Sequence, residues 1–284
     1  LSAIGNLTVK IFSDGADFES IMAMYANPWI KGFTTNPTLM RKAGILDYEA
    51  FGRNLLRAIP DRPISLEVFA DDISEMESQA LAIASWGRNA NVKIPVTNRA
   101  GVFLEPLIHR LSCAGVVLNV TAILTLDQVE RVAEALSPAT PAIVSMFAGR
   151  IADTGVDPVP VMRRAGEILR CRPKAELLWA SPRELLNIFQ ADDAGCNIIT
   201  VPPEILHKLG LVGKDLAAYS LETVNMFHQD ALAAAYRINT DFLPMTRNSL
   251  LRAAGIRPRH ASAKISLAAA ARSGARLSGR GPSS

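Results

Sequence analysis

Residues 64–96 read ISLEVFADDISEMESQALAIASWGRNANVKIPV, and this stretch decides the fold. Ile64–Phe69 is a short, mostly apolar run of strand type. Ile73–Ser85 then places Ile73, Met76, Ala80 and Ile83 on one face at helical spacing. Asn91–Val96 is a second strand-like run. Strand, amphipathic helix, strand is the pattern of two parallel strands joined by a helical crossover.

The same unit extends in both directions. Upstream, Val9–Ser13 and Ile30–Thr34 read as strands, with helices running to Tyr25 and from Pro37 in pieces to Ala58. Downstream, Val116–Val120, Ala142–Phe147, Glu176–Ala180 and Asn197–Val201 read as strands. Between them lie helices over Leu126–Leu136, Val159–Leu169 and Arg183–Asp193. Pro202-Pro203 opens a short helix, and a last one is expected over Ser220–Tyr236. An open doubly wound sheet shares this alternation, but eight strands favour a closed barrel. The 284 residues suit a barrel of about 250. The expected fold class is α/β: a single (β/α)8 TIM barrel over residues 1–238, closing with a C-terminal helix. Residues 239–284 are expected to form a low-complexity, disordered basic tail.

Charge supports that division. Residues 239–284 carry eight Lys/Arg and one acidic residue, Asp241, while the remainder is net negative. The body therefore lacks the basic surface that nucleic acid requires. No apolar run is long enough to span a membrane, and no basic segment followed by an apolar one opens the sequence. A cytoplasmic location is expected. Cys113, Cys171 and Cys196 lack metal-site spacing and are expected to be buried structural thiols. The four histidines form no HExxH motif. No metal and no cofactor are expected, and neither GxGxxG nor GxxxxGK[ST] occurs.

A barrel collects its functional groups at the C-terminal ends of its strands. Those positions hold Asp14, Asn36, Glu67, Lys93, Asn119 with Thr121, Ser145 with Arg150, and Ser181 with Arg183. Lys93 sits between Val92 and Ile94. On an open sheet it would read as an edge lysine pointing to solvent, but a closed barrel has no edge. A lysine facing the barrel mouth is an amine nucleophile toward carbonyls, provided burial together with a neighbouring cation makes it release its proton. Asp14 and Glu67 suit proton transfer, or structural ion pairing. Arg150 and Arg183 with Ser181 suit a phosphate clamp, or surface salt bridges.

These motifs resemble those of transaldolases. The resemblance rests on Phe12-Ser-Asp-Gly-Ala-Asp17, Gly32-Phe-Thr-Thr-Asn-Pro37, Ser65-Leu-Glu-Val68 and Val92-Lys-Ile-Pro95. It continues through Asn119-Val-Thr121, Phe147-Ala-Gly-Arg-Ile-Ala-Asp153 and Trp179-Ala-Ser-Pro-Arg183. It implies a class I, Schiff-base aldolase barrel with Lys93 as the imine-forming residue. Asp14 would act at the sugar hydroxyls during carbon–carbon cleavage. Glu67 and Thr121 would hold a water for proton transfer. Asn36, Asn119 and Ser145 would orient a dihydroxyacetone unit, and Arg150, Ser181 and Arg183 would bind phosphate. The implied partners are small sugar phosphates, in a homo-oligomer of the pentose phosphate pathway. Fructose-6-phosphate aldolase-like relatives instead release dihydroxyacetone. They tend to carry Gln where this chain has Glu67, and Tyr where it has Phe147.

Overall fold

The computed structural model of the chain describes residues 5–239. The strands are β1 (Lys10–Asp14), β2 (Ile30–Thr34), β3 (Ile64–Glu67), β4 (Ala90–Pro95), β5 (Leu118–Ile123), β6 (Ala142–Met146), β7 (Ala175–Trp179) and β8 (Ile198–Val201). They lie in chain order as a closed barrel. Parallel β8 joins β1 through Lys10↔Ile198 and Ile11↔Ile199, which removes the last free edge.

Helices alternate with the strands: α1 (Phe18–Tyr25), α2 (Pro37–Lys42), α3 (Tyr48–Ala58), α4 (Ile73–Ala84), α5 (Glu105–Cys113) and α6 (Leu126–Ala135). Then follow α7 (Ala148–Ala152), α8 (Pro158–Leu169), α9 (Leu186–Asp193), α10 (Pro203–Leu206) and α11 (Leu216–Ala233). Their starts are written in the sequence. Asp17, Asp47, Asp72 and Thr125 each accept the backbone N–H three residues on, and Thr125 forms a capping box with Gln128. Such a cap stabilises a helix by about 1 kcal/mol.

Strand parity divides the interior in two. Val92, Ile94, Leu118, Val120, Val144 and Met146 point outward and pack with Leu55, Ile83, Leu107, Val129 and Met162 of the helices, all 2% exposed or less. The opposite face fills the barrel. There Phe12, Ile143, Leu178, Ala180 and Ile198 form a separate small cluster. Gly32 makes room for it: a Cβ at that position would stand 2.5 Å from the Phe12 ring.

Several expectations need correction. Cys113 and Cys171 are exposed and only Cys196 is buried, because the first two sit at helix C-terminal ends on the surface. The helix expected from Arg183 begins at Leu186, since Asn187 Oδ1 takes the N–H groups of Arg183 and Glu184 in a local turn. The last helix begins at Leu216, capped by Asp215, rather than at Ser220. Among the described residues, the boundary between two compact units falls between Lys214 and Asp215. The barrel occupies the first and α11 belongs to the second. The expected tail lies, from residue 240 onward, outside the described residues.

Candidate active site

The inward-facing residues near the C-terminal strand ends surround a cavity of about 520 Å³. Asp14, Thr34, Glu67, Lys93, Asn119, Thr121, Ser145 and Thr200 come from seven of the eight strands, and Asn36, Phe147, Arg150 and Ser181 from the loops and α7. Every residue singled out from the sequence therefore lines the cavity except Arg183.

Lys93 stands on β4, opposite Glu67 of β3 and Asn119 of β5 in register. It is only 8% exposed. Its Nζ donates to the Thr35 carbonyl at 3.1 Å and lies 3.1 Å from Glu67 Oε2. A neighbouring cation was one expectation; the neighbour is a carboxylate. Asp14 accepts a hydrogen bond from Thr34 Oγ1 at 2.7 Å. Burial pushes its carboxyl above the usual carboxylate range, against the lowering influence of the Lys93 charge and the Thr34 hydrogen bond. Glu67 and Glu204 add to the rise. The mouth thus sets the Lys93 amine beside the side-chain carboxyls of Glu67 and Asp14, groups of the kind that exchange protons with a bound ligand.

The wall beside Lys93 is a hydrogen-bond ladder. Asn119 donates from Nδ2 to Ser65 Oγ at 3.0 Å and accepts from Ser145 Oγ at 2.7 Å. Its amide is thereby fixed in orientation. Asn36 caps α2, its Oδ1 accepting from Leu39 N at 3.0 Å, which leaves the Nδ2 hydrogens as its donors toward the cavity. Thr121 Oγ1 is buried and has no partner among the described residues. A buried hydroxyl without a partner is disfavoured by about 1–3 kcal/mol, so its position calls for a ligand atom or water. Ala122 follows at φ +63°, where β5 slips register against β6. That left-handed residue lets Thr121 face inward and the chain still rejoin β6 at Ile123.

At the far wall, Arg150 of α7 lines the cavity with its guanidinium 5.5 Å from the Phe147 ring centre. Ser181 lines it at φ +58°, a second left-handed non-glycine residue. Two such residues in one cavity agree with the tendency of backbone strain to gather at functional sites. Gly149 touches the same turn: a Cβ there would fall 1.5 Å from the Ser181 carbonyl oxygen. Arg183 lies outside this wall. Its Nε donates to Asp153 Oδ1 at 3.0 Å and its Nη2 to Oδ2, which holds the Asp153 carboxyl below its usual range. Of the two readings open for Arg183, the salt bridge is the one this arrangement contains.

Sequence reasoning overlooked Thr34, Thr200, Ser65 and Ala122. Parity would have found the threonines: each lies two residues beyond an inward-facing position, Gly32 or Ile198.

These features define a class: a closed α/β barrel with a buried, ion-paired lysine in its mouth. The chain belongs to the Transaldolase/Fructose-6-phosphate aldolase family, whose description it matches over residues 11–264. It is 35% identical over 202 residues to a "Probable transaldolase" of Dehalococcoides mccartyi, covering 71% of this chain and 90% of that protein. It is 31% identical to a "Probable transaldolase 2" of Listeria monocytogenes, covering 71% and 88%. Among solved structures, a dihydrodipicolinate synthase of Rhodopseudomonas palustris superposes with a TM-score of 0.53 at 13% identity, over 90% of this chain and 91% of that one. That likeness concerns the fold alone. Among the described residues no helix is long and apolar enough to cross a membrane, and no cluster of three or more His, Cys, Asp or Glu is placed to hold a metal ion.

Proposed function

We propose that the chain is a transaldolase that moves a dihydroxyacetone unit between ketose and aldose phosphates through an imine on Lys93. The observation that carries this reading is the buried Lys93, its Nζ 3.1 Å from Glu67 Oε2 and within the field of Asp14. Deprotonated Lys93 Nζ adds to the ketose carbonyl, and loss of water leaves a protonated imine. Asp14 takes the proton of the hydroxyl on the far carbon of the bond that breaks, and that carbon becomes the aldehyde carbonyl. The electron pair of that bond flows into the imine and gives an enamine, so the imine itself is the electron sink. Glu67 and the unpartnered Thr121 hydroxyl suit a water that carries the proton during imine formation. The Asn36 amide and the fixed Asn119–Ser145 pair suit the hydroxyls of the three-carbon unit. Arg150 and Ser181 suit the phosphate, and Arg183 joins them by exchanging Asp153 for it. Glu67 and Phe147 favour transfer over release of free dihydroxyacetone.

Two measurements test this. Fructose 6-phosphate with erythrose 4-phosphate should give a new ketose phosphate, whereas fructose 6-phosphate alone should turn over slowly. Fast acceptor-independent release of dihydroxyacetone would make the chain an aldolase. Borohydride added with fructose 6-phosphate should attach a three-carbon unit to the peptide containing Lys93. A label on a different lysine, or an active enzyme with none, would overturn the mechanism.

A further inference from the structure

We infer that Thr200, on the strand that closes the barrel, is a positioning residue for Asp14: its hydroxyl sets the direction of the Thr34 hydroxyl, which carries that direction to the carboxylate. Thr200 Oγ1 is in hydrogen-bond contact with Thr34 Oγ1, and Thr34 Oγ1 is 2.7 Å from Asp14 Oδ1. Thr200 and Thr34 are both buried, and both line the cavity.

Counting hydrogens fixes the polarity of this chain. Each threonine hydroxyl has one hydrogen to give. When Asp14 is ionised it can only accept, so Thr34 gives its hydrogen to Asp14. The remaining contact is then made by Thr200 donating to Thr34. When Asp14 carries a proton on Oδ1 the order reverses: Asp14 donates to Thr34, Thr34 donates to Thr200, and the Thr200 hydrogen turns elsewhere. Charge on Asp14 and direction of the Thr200 hydroxyl are therefore one coupled variable. Hydrogen bonds in such a chain strengthen one another. Without Thr200, Thr34 becomes a poorer donor and the ionised form of Asp14 loses support. The other charges facing Asp14 are Lys93 from β4, Glu67 from β3 and Glu204 from α10, and all three stay in place. The proposal rests on the aldol reading only for the task it gives Asp14.

The test is a direct titration of Asp14 in the full-length, substrate-free protein. Aspartate labelled with carbon-13 at the side-chain carboxyl gives the signals, and Asp14→Asn identifies the one that matters. Thr200→Val should raise the Asp14 midpoint by ~0.5 pH unit, and Thr200→Ser should leave it at the parent value. Thr200→Ala removes the hydroxyl without the shape of valine and should behave as Thr200→Val. The acid limb of the kcat profile should move with the midpoint, while KM for fructose 6-phosphate holds. An unchanged midpoint in Thr200→Val and Thr200→Ala, or an equal shift in Thr200→Ser, would overturn the assignment. Borohydride labelling of Lys93 separates the two ideas. A shifted midpoint without a label would remove the reaction and keep the hydroxyl chain.

Discussion

Asp14 is held in surroundings that oppose its ionisation, and this has a thermodynamic sign. Its carboxyl is raised above the ordinary value by burial. The folded state thus binds a proton more tightly than the unfolded one, and stability falls as pH rises through the folded-state value. Below the unfolded value this contribution is fully present. Asp14→Asn should therefore raise Tm at pH 7 relative to the parent, with the gain shrinking as pH is lowered, while kcat collapses. Scanning calorimetry across pH checks it; a lower Tm at pH 7 would mean that the charge of Asp14 supports Lys93 more than its burial opposes it. The two arginines divide differently. Arg150 lines the cavity, and Arg150→Ala should raise KM for phosphorylated substrates roughly 10- to 150-fold, the loss of one charge-assisted bond. On the proposed reading, Arg183 leaves Asp153 to reach the phosphate. Exposed ion pairs are worth about 0–1 kcal/mol, so Asp153→Asn should lower that KM by at most about fivefold, as steady-state kinetics would show. A rise instead would make Asp153 a support for the site. Both arginines were legible in the sequence as cations beyond strand ends. The Asp153 partnership was not, because an ion pair between neighbouring loops depends on how the loops pack.

Elements were more legible than loops. The strand runs are apolar, short and bounded by polar residues, so the existence and order of β1 to β8 follow from the pattern, although β5 starts at Leu118 and runs on to Ile123 rather than spanning Val116–Val120. The five-residue α7 was invisible, since Ala148–Ala152 spans little more than one turn and contains Gly149. The left-handed backbone at Ala122 and Ser181 was also hidden, because neither is glycine and nothing local announces a positive φ. Only the closed barrel explains them: β5 and β7 must turn sharply to keep Thr121 and Ser181 at the cavity. Thr34 and Thr200 escaped notice because threonine is also an ordinary strand residue. The close approach of α7 to the β7 turn gives a prediction of its own. Gly149→Ala puts a methyl 1.5 Å from the Ser181 carbonyl oxygen. The two segments must separate, with a stability loss of about 1–3 kcal/mol and a higher KM for phosphorylated substrates. Urea denaturation and steady-state kinetics would show both; an unchanged midpoint would mean that the turn yields freely.

For the molecule as a whole, the cavity draws its described residues from the unit that ends at Lys214. We propose that the chain after Ile238 is dispensable for chemistry. A protein shortened there should keep kcat, measured by the transfer assay, and a severe loss would show that the later residues help build the site. Closure of the barrel carries a further consequence, for the ribosome. Thr34 and Thr200 meet across 166 positions of sequence. At roughly 5–20 residues per second, the interval between making them is about 10–30 s. Through that interval the nascent chain already holds Asp14 and, later, Lys93, but β1 has no β8 to pair with. Its backbone donors and acceptors stand as an open edge, the feature that invites association with other chains. Chaperones that shield emerging polypeptide therefore meet an exposed edge at β1 for the whole interval, beside the shorter-lived edge of each newly added strand.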